Sequence, residues 1–247
     1  VLQVANILAL GWLVAQLTWG TWPEFWLNAA NLTAVRVLVG PDFCCVAIAP
    51  AHELIHRRSR WQRRLGRLLL GTLGYDHFYV AHRAGHHARL GSAVDPSTAR
   101  PDESYEAFFR RSLAEQWRLA WRCEPRTVRL GVLAELAYAA GFGLLFGPAA
   151  LIVLVWQALV AVRLLESVNY FQHFVLTLES GRSGATAWRC DSRVSLFLFL
   201  GLTRHADHHR RPAVPYPELR VLDESPSLPF GYLGMAIWVK NLSGSYR

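Results

Sequence analysis

Between Asn31 and His56 the chain reads NLTAVRVLVGPDFCCVAIAPAHELIH, an apolar run that ends in two histidines four residues apart. From Asn31 to Ala51 only Arg36 and Asp42 interrupt the run, which is long enough to cross the ~30 Å hydrocarbon layer of a bilayer as a helix. In a helix, side chains at i and i+4 share one face, so His52 and His56 point the same way. The basic residues Arg57, Arg58, Arg60, Arg63 and Arg64 follow at once. Such clusters are retained on the cytoplasmic side, and they mark this end of the span as cytoplasmic.

Upstream, Val1 to Pro23 carries no charge and reads as a first span, with Trp19, Trp22 and Trp26 clustered at the outer interface. The two spans make a hairpin with its Trp-rich loop outside and its N-terminus inside. Downstream, Leu65 to Val80 is apolar but short, and reads as a re-entrant or interfacial helix. Residues 88–126 are polar and rich in arginine, and read as a cytoplasmic loop or helical segment. Thr127 to Phe146 and Pro148 to Leu165 are two more spans, separated by a Gly147-Pro148 turn on the outside. Only Arg129, Glu135 and Arg163 put charge into that pair. Val194 to Leu202 is too short to cross, and the tail beyond Arg210 has a last apolar patch at Phe230 to Val239. The expectation is an all-α, integral-membrane helical bundle of four spans, with residues 1–247 as one membrane-embedded domain and every histidine on the cytoplasmic side.

Composition agrees. Of 247 residues, 52% are hydrophobic and 12% aromatic, with ten Trp and a mean hydropathy of +0.17. That is too apolar for an ordinary soluble enzyme of this length. The formal charge is +8, with Lys240 the one lysine. The arginines flank apolar runs, so membrane topology explains them better than nucleic-acid binding does. Cys44, Cys45, Cys123 and Cys190 form no C-x-x-C pair, which argues against a zinc ribbon, a rubredoxin-like iron site, a thioredoxin motif or a disulfide framework. The chain starts at Val1, already in apolar helix and with no cleavable leader in view, and is expected to be a truncated product.

The ten histidines fall in boxes: His52 and His56; His77; His82, His86 and His87; His173; and His205, His208 and His209. By helical spacing His82 pairs with His86, and His205 with His209, while His87 and His208 widen each box toward a second metal. Imidazole suits iron, zinc and copper alike. An H-E-x-x-H string also occurs in zinc proteases, with Glu53 then the general base. That reading leaves the other boxes unexplained, whereas a shared metal centre uses them all. His77, standing alone, reads as a structural residue or an outer partner of the centre. Ligating histidines donate their second N–H to a carboxylate or carbonyl, for which Glu53, Asp95, Glu166, Asn169 and Asp207 are candidates. For Asp95 and Asp207, ordinary surface polarity weighs equally.

Several strings together resemble the membrane alkane monooxygenases of the fatty-acid desaturase-like superfamily. They are His52-Glu53-Leu54-Ile55-His56-Arg57, Gly74-Tyr75-Asp76-His77-Phe78, His82-Arg83-Ala84-Gly85-His86-His87, Asp95-Pro96-Ser97-Thr98-Ala99-Arg100, Asn169-Tyr170-Phe171-Gln172-His173 and Arg204-His205-Ala206-Asp207-His208-His209, with Leu228-Pro229-Phe230-Gly231-Tyr232 near the end. The resemblance covers roughly residues 45 to 240 and implies more membrane helix before the first box. It implies two iron ions held by nine ligands: His52, His56, His82, His86, His87, His173, His205, His208 and His209. His77 matches a family position that is not a ligand.

The implied reaction is O2-dependent hydroxylation of a terminal methyl group on a hydrophobic substrate. Rubredoxin or ferredoxin, with an NAD(P)H-dependent reductase, would supply electrons, at the bacterial inner membrane. The chain itself has no Gly-rich dinucleotide fingerprint and no cysteine set for an iron–sulfur centre. Ala81 and Gln172 depart from the alkane pattern and look like the xylene monooxygenase branch, which brings in an alkylbenzene methyl as substrate. Fatty-acyl desaturation or hydroxylation uses the same metal chemistry, and a membrane metal-handling protein is the non-enzymatic alternative.

Overall fold

The computed structural model describes residues 1–174 and 186–242, and among these the chain is almost wholly helical. Helix α1 spans Leu2–Ala15 and α2 spans Trp22–Phe43. Thr21 and Glu24 form a capping box at the start of α2: the Glu24 carboxylate accepts the Thr21 N–H at 3.0 Å, and the Thr21 hydroxyl accepts the Glu24 N–H at 3.4 Å. The same rod continues through a π-helical turn, Cys44–Ile48, into α3, Ala49–Ile55. Pro50 has no N–H to offer the carbonyl one turn back, which loosens the α-helical ladder where the wider turn sits.

Among the described residues, three helical stretches are long and apolar enough to cross a membrane: Trp22–Ile55, Pro125–Phe146 and Pro148–Gln172. The expected first span is shorter than its uncharged sequence suggests. Helix α1 has 14 residues, or about 21 Å, which falls short of a ~30 Å hydrocarbon layer. The second span begins earlier than expected, so Trp22 and Trp26 lie within α2. The other two follow the sequence closely, as α8 (Pro125–Phe146) and α9 (Pro148–Gln172), with Gly147 at φ 87° in the turn between them.

Helix α9 is the hub, packing on α1, α2, α8, α12 (Tyr232–Leu242) and α7 (Tyr105–Cys123). Its last turns are buried on every side, from Leu164 through Gln172. The outer faces of the spans remain apolar and exposed, as at Leu38, Leu144 and Ile152, which suits contact with lipid.

The expected segment Leu65 to Val80 divides in two. Helix α4 (Arg60–Gly71) ends at a turn in which Gly74 has φ 65°, and a bidentate Arg67–Asp76 pair closes that turn at 2.9 and 2.6 Å. Gly66 lets α4 lie directly on α3, since a Cβ there would meet Ile55 Cγ2 at 2.9 Å and the Ala51 carbonyl oxygen at 3.1 Å. Beyond the turn come α5 (Phe78–Val80), a second π-helical turn at Ala81–His86, and α6 (His87–Arg89). After α9 follow the short α10 (Arg193–Leu198) and α11 (His205–Arg210).

Candidate metal centre

Five local segments bring histidines to one end of the bundle. Helix α3 carries His52 and His56, the second π turn carries His82 and His86, and α6 opens with His87. His173 directly follows α9, and α11 carries His205, His208 and His209. Their ring nitrogens form two groups, each within 4.8 Å: His52, His56, His82, His87 and His208 in one; His86, His173, His205 and His209 in the other. The groups adjoin, with the His87 and His209 ring centroids 4.5 Å apart.

The π turn sorts the middle box differently from α-helical spacing. His82 and His86 were expected to share a face. Instead His82 Nε2 lies 3.0 Å from His87 Nε2, while His86 Nε2 lies 3.1 Å from His209 Nε2 in the other group. A turn closed over five residues brings i and i+5 together and swings i+4 away.

These donors fit a metal. His52 Nε2, His56 Nε2 and His173 Nε2 are buried without a hydrogen-bond partner among the described residues. His208 Nε2 and His87 Nε2 are 3.3 Å apart, and His209 Nε2 and His205 Nε2 are 3.0 Å apart. Lone pairs so gathered satisfy one another poorly without a cation between them. Burial first, and then mutual repulsion, hold His82, His205, His208 and His209 well below the usual imidazole range, and bring His87 down to about 2. The rings are therefore neutral at ordinary pH, the state in which imidazole ligates a metal.

Two outer contacts fix ring orientation. Asp95 takes His86 Nδ1 at 2.9 Å, and is itself held by the Thr98 hydroxyl at 2.7 Å and the Ser97 N–H at 2.9 Å. Burial alone would raise the Asp95 carboxyl, but His86 and these donors bring it down to about 2. His173 Nδ1 donates to the Thr186 carbonyl at 3.0 Å. Sequence reasoning weighed Asp95 evenly against surface polarity and did not find Thr186, which no spacing rule ties to His173.

The other outer candidates serve different partners. Glu53 pairs with Arg57 and accepts the Tyr216 N–H at 2.9 Å. Asp207 accepts from Arg211 at 3.0 Å and from the Arg220 N–H at 2.7 Å. Glu166 faces α7 rather than the imidazoles, and accepts from Ser112, Tyr75, Gln116 and Asn169 at 2.7, 2.8, 3.0 and 3.2 Å. His77 lies outside both groups, with its ring edge-on to Tyr75 and Trp117. Burial lowers it to about 4.

This helical bundle with two histidine groups at one end also matches a known family. The fatty acid desaturase family model matches residues 25–237, and the chain belongs to that family. Among curated proteins it is similar to alkane 1-monooxygenase 1 of Pseudomonas aeruginosa, at 33% identity over 93% of this chain and 63% of the relative. It is also similar to alkane 1-monooxygenase of Ectopseudomonas oleovorans, at 31% identity over 87% of this chain and 58% of the relative. Similarity extends more weakly to the xylene/toluene monooxygenase hydroxylase component XylM of Pseudomonas putida, at 26% identity over 72% of this chain and 53% of that protein. The chain thus spans less than two thirds of the length of these relatives.

Proposed function

We propose that the protein is an O2-dependent di-iron monooxygenase that hydroxylates a terminal methyl group of a hydrophobic substrate, an alkane or alkyl chain. The observation that carries this reading is the sorting of nine histidines into two adjoining groups at one end of an apolar bundle. His52, His56, His82, His87 and His208 would hold one iron, and His86, His173, His205 and His209 the other. A bound iron pair supplies the redox chemistry with O2 that protein side chains lack.

The chain's own residues do the rest. Asp95 and the Thr186 carbonyl fix the tautomers of His86 and His173, so that Nε2 faces inward. The close-packed ends of α3, α9 and α11 exclude water. An apolar cavity of ≈ 580 Å³ lies among α7, α8 and α9, with Val155, Leu136 and Leu159 on its lining and exposed on the outer surface. It would admit a lipid-soluble substrate from the side. The aromatic residues Trp12, Phe43, Trp156 and Phe171 do not line it. Residues 1–247 act as one membrane-embedded unit, with the histidines on the cytoplasmic side where Arg57 to Arg64 cluster. Electrons come from rubredoxin or ferredoxin through an NAD(P)H-dependent reductase, for which the basic face suits an acidic carrier. Gln172, directly before His173, and Ala81 favour an alkylbenzene methyl as the second reading, in keeping with the similarity to XylM.

The test is reconstitution in lipid discs with iron, each carrier, the reductase, NADH and O2, offering octane, xylene and a fatty acid in parallel. The expected product is an O2-dependent alcohol, and which substrate yields it separates the two readings. A double bond in the fatty acid identifies a desaturase instead. Zinc in the purified protein, together with no oxidised product, overturns the proposal.

A further inference from the structure

His77 and Glu166, which hydrogen-bond to none of the candidate ligands, both meet Tyr75. From His82 an unbroken file of aromatic rings runs out to the surface of α7. Phe78 stacks on His82 at 4.8 Å between centroids, and Tyr75 stacks on Phe78 at 5.2 Å. His77 meets Tyr75 at 4.9 Å, and Trp117 meets His77 at 5.0 Å. Phe78 and Tyr75 are buried, at 1% and 2% exposure, while Trp117 is 40% exposed. Two of these rings, the phenol and the indole, lose one electron readily. Phe78 and His77 are not oxidised so easily, and each bridges a single gap.

Tyr75 also has a place to put its proton. Its hydroxyl lies 2.8 Å from Glu166 Oε1 and 2.8 Å from Gln116 Oε1. The carboxylate is the stronger acceptor, and four donors converge on it, as suits a group that only accepts. A phenol that can pass its proton along an existing hydrogen bond is far easier to oxidise than one that must form a cationic radical.

We propose that Tyr75 and Trp117, bridged by Phe78 and His77, form a one-electron relay through which an oxidising equivalent leaves the centre when no substrate is bound. The proposal rests on the monooxygenase reading for the source of that oxidant. In the first step one electron passes from Tyr75 through Phe78 and His82 to the O2-oxidised centre. The Tyr75 O–H bond breaks and its proton moves to Glu166, leaving a neutral tyrosyl radical. Trp117 then gives an electron through His77, and Glu166 returns the proton to Tyr75. The oxidised indole releases its N–H proton to water and is reduced at the surface by a one-electron donor of the thiol or ascorbate class, regaining a proton from water. Two such passages remove a two-electron oxidising equivalent without damage to the ligands.

The relay can be read with and without metal. Cys123 is exposed on the same helix as Trp117, whereas Cys44 and Cys190 are buried. With Cys123 carrying a tethered ruthenium photo-oxidant, the metal-free full chain in lipid discs is flashed and followed by transient absorption. A tyrosyl radical is expected in the wild type and absent in Tyr75→Phe. Its formation should slow at least tenfold in His77→Leu and vanish in Trp117→Leu. No tyrosyl radical, or one that survives Tyr75→Phe, overturns the relay. In the second arm the iron-loaded protein turns over O2 with electron donor and no substrate. Tyr75→Phe and Trp117→Leu should lose activity several-fold faster than the wild type. Normal O2 consumption with equal survival of all three proteins defeats the relay alone. No O2 consumption by the iron-loaded wild type defeats the monooxygenase reading and the escape role together.

Discussion

Asp95 holds His86 by both oxygens, with Oδ2 at 2.9 Å and Oδ1 at 3.1 Å from Nδ1, in a pocket closed to solvent. A carboxylate so placed fixes the ring and makes its inner nitrogen a better ligand. Asp95→Asn keeps the volume and removes the charge. Metal affinity should fall about 10- to 100-fold, and only for the group containing His86. Titration of metal into the stripped protein, read by elemental analysis, measures this, and an unchanged affinity would refute the role of Asp95.

Neighbouring positions in the middle box should behave differently from one another. His87→Ala removes a donor from the group with His82, and His86→Ala one from the group with His205. Each variant is expected to lose metal preferentially from its own group, and the two losses should differ in spectroscopic signature. Were His82 and His86 in one group, as α-helical spacing suggests, His86→Ala and His82→Ala would instead give the same spectrum.

Acid should weaken the metal-free protein. His82, His205, His208 and His209 lie well below the ordinary imidazole range because they are buried, and His87 lies at about 2. Below about pH 6.5 the unfolded chain takes up protons at these rings and the folded chain does not. Stability therefore falls as pH drops through that value, by on the order of 1.4 kcal/mol per pH unit for each such ring, and is level above it. Bound metal competes with the same protons and should move the loss to lower pH. Melting temperatures with and without metal, from about pH 8 down to about pH 5, give the sign directly.

Gly66 sets the distance between α4 and the helix that presents His52 and His56. A Cβ there would strike Ile55 at 2.9 Å and the Ala51 backbone at 3.1 Å. Gly66→Ala should cost about 1–3 kcal/mol by overpacking. It should also weaken metal binding at the group containing His52 and His56 while sparing the other. Equal loss at both groups would point to general unfolding rather than displacement of α3.

Much of this was legible beforehand, for identifiable reasons. The histidines are rare, polar and clustered, so their boxes stand out against apolar sequence, and uncharged runs such as Pro148 to Val162 show their length directly. The sorting of His86 away from His82 was hidden, because a wider turn leaves no trace in a pattern assumed to repeat every 3.6 residues. The reach of α1 was overestimated because Gln16 to Trp19 is uncharged yet not helical. Glu166 was correctly singled out as an ionisable group in an apolar helix, but its partner Tyr75 is 91 residues away in sequence. No local rule gives such a pairing. Glu53 and Asp207 were misdirected by the company they keep: each stands four residues before an arginine, which claims it.

The nine histidines gathered at the end of the bundle would each ligate a metal as a neutral imidazole. Cations bound among them would keep nearly their whole charge, offset nearby by Asp95 in a medium that screens poorly. Such surroundings make each loss of an electron from the metals costly and so favour their lower oxidation state. They also give the centre a standing appetite for small anions. Azide, cyanide or carboxylates should therefore act as inhibitors with an affinity out of proportion to their size, whereas an uncharged hydrocarbon, the proposed substrate, is neither attracted nor repelled by this field.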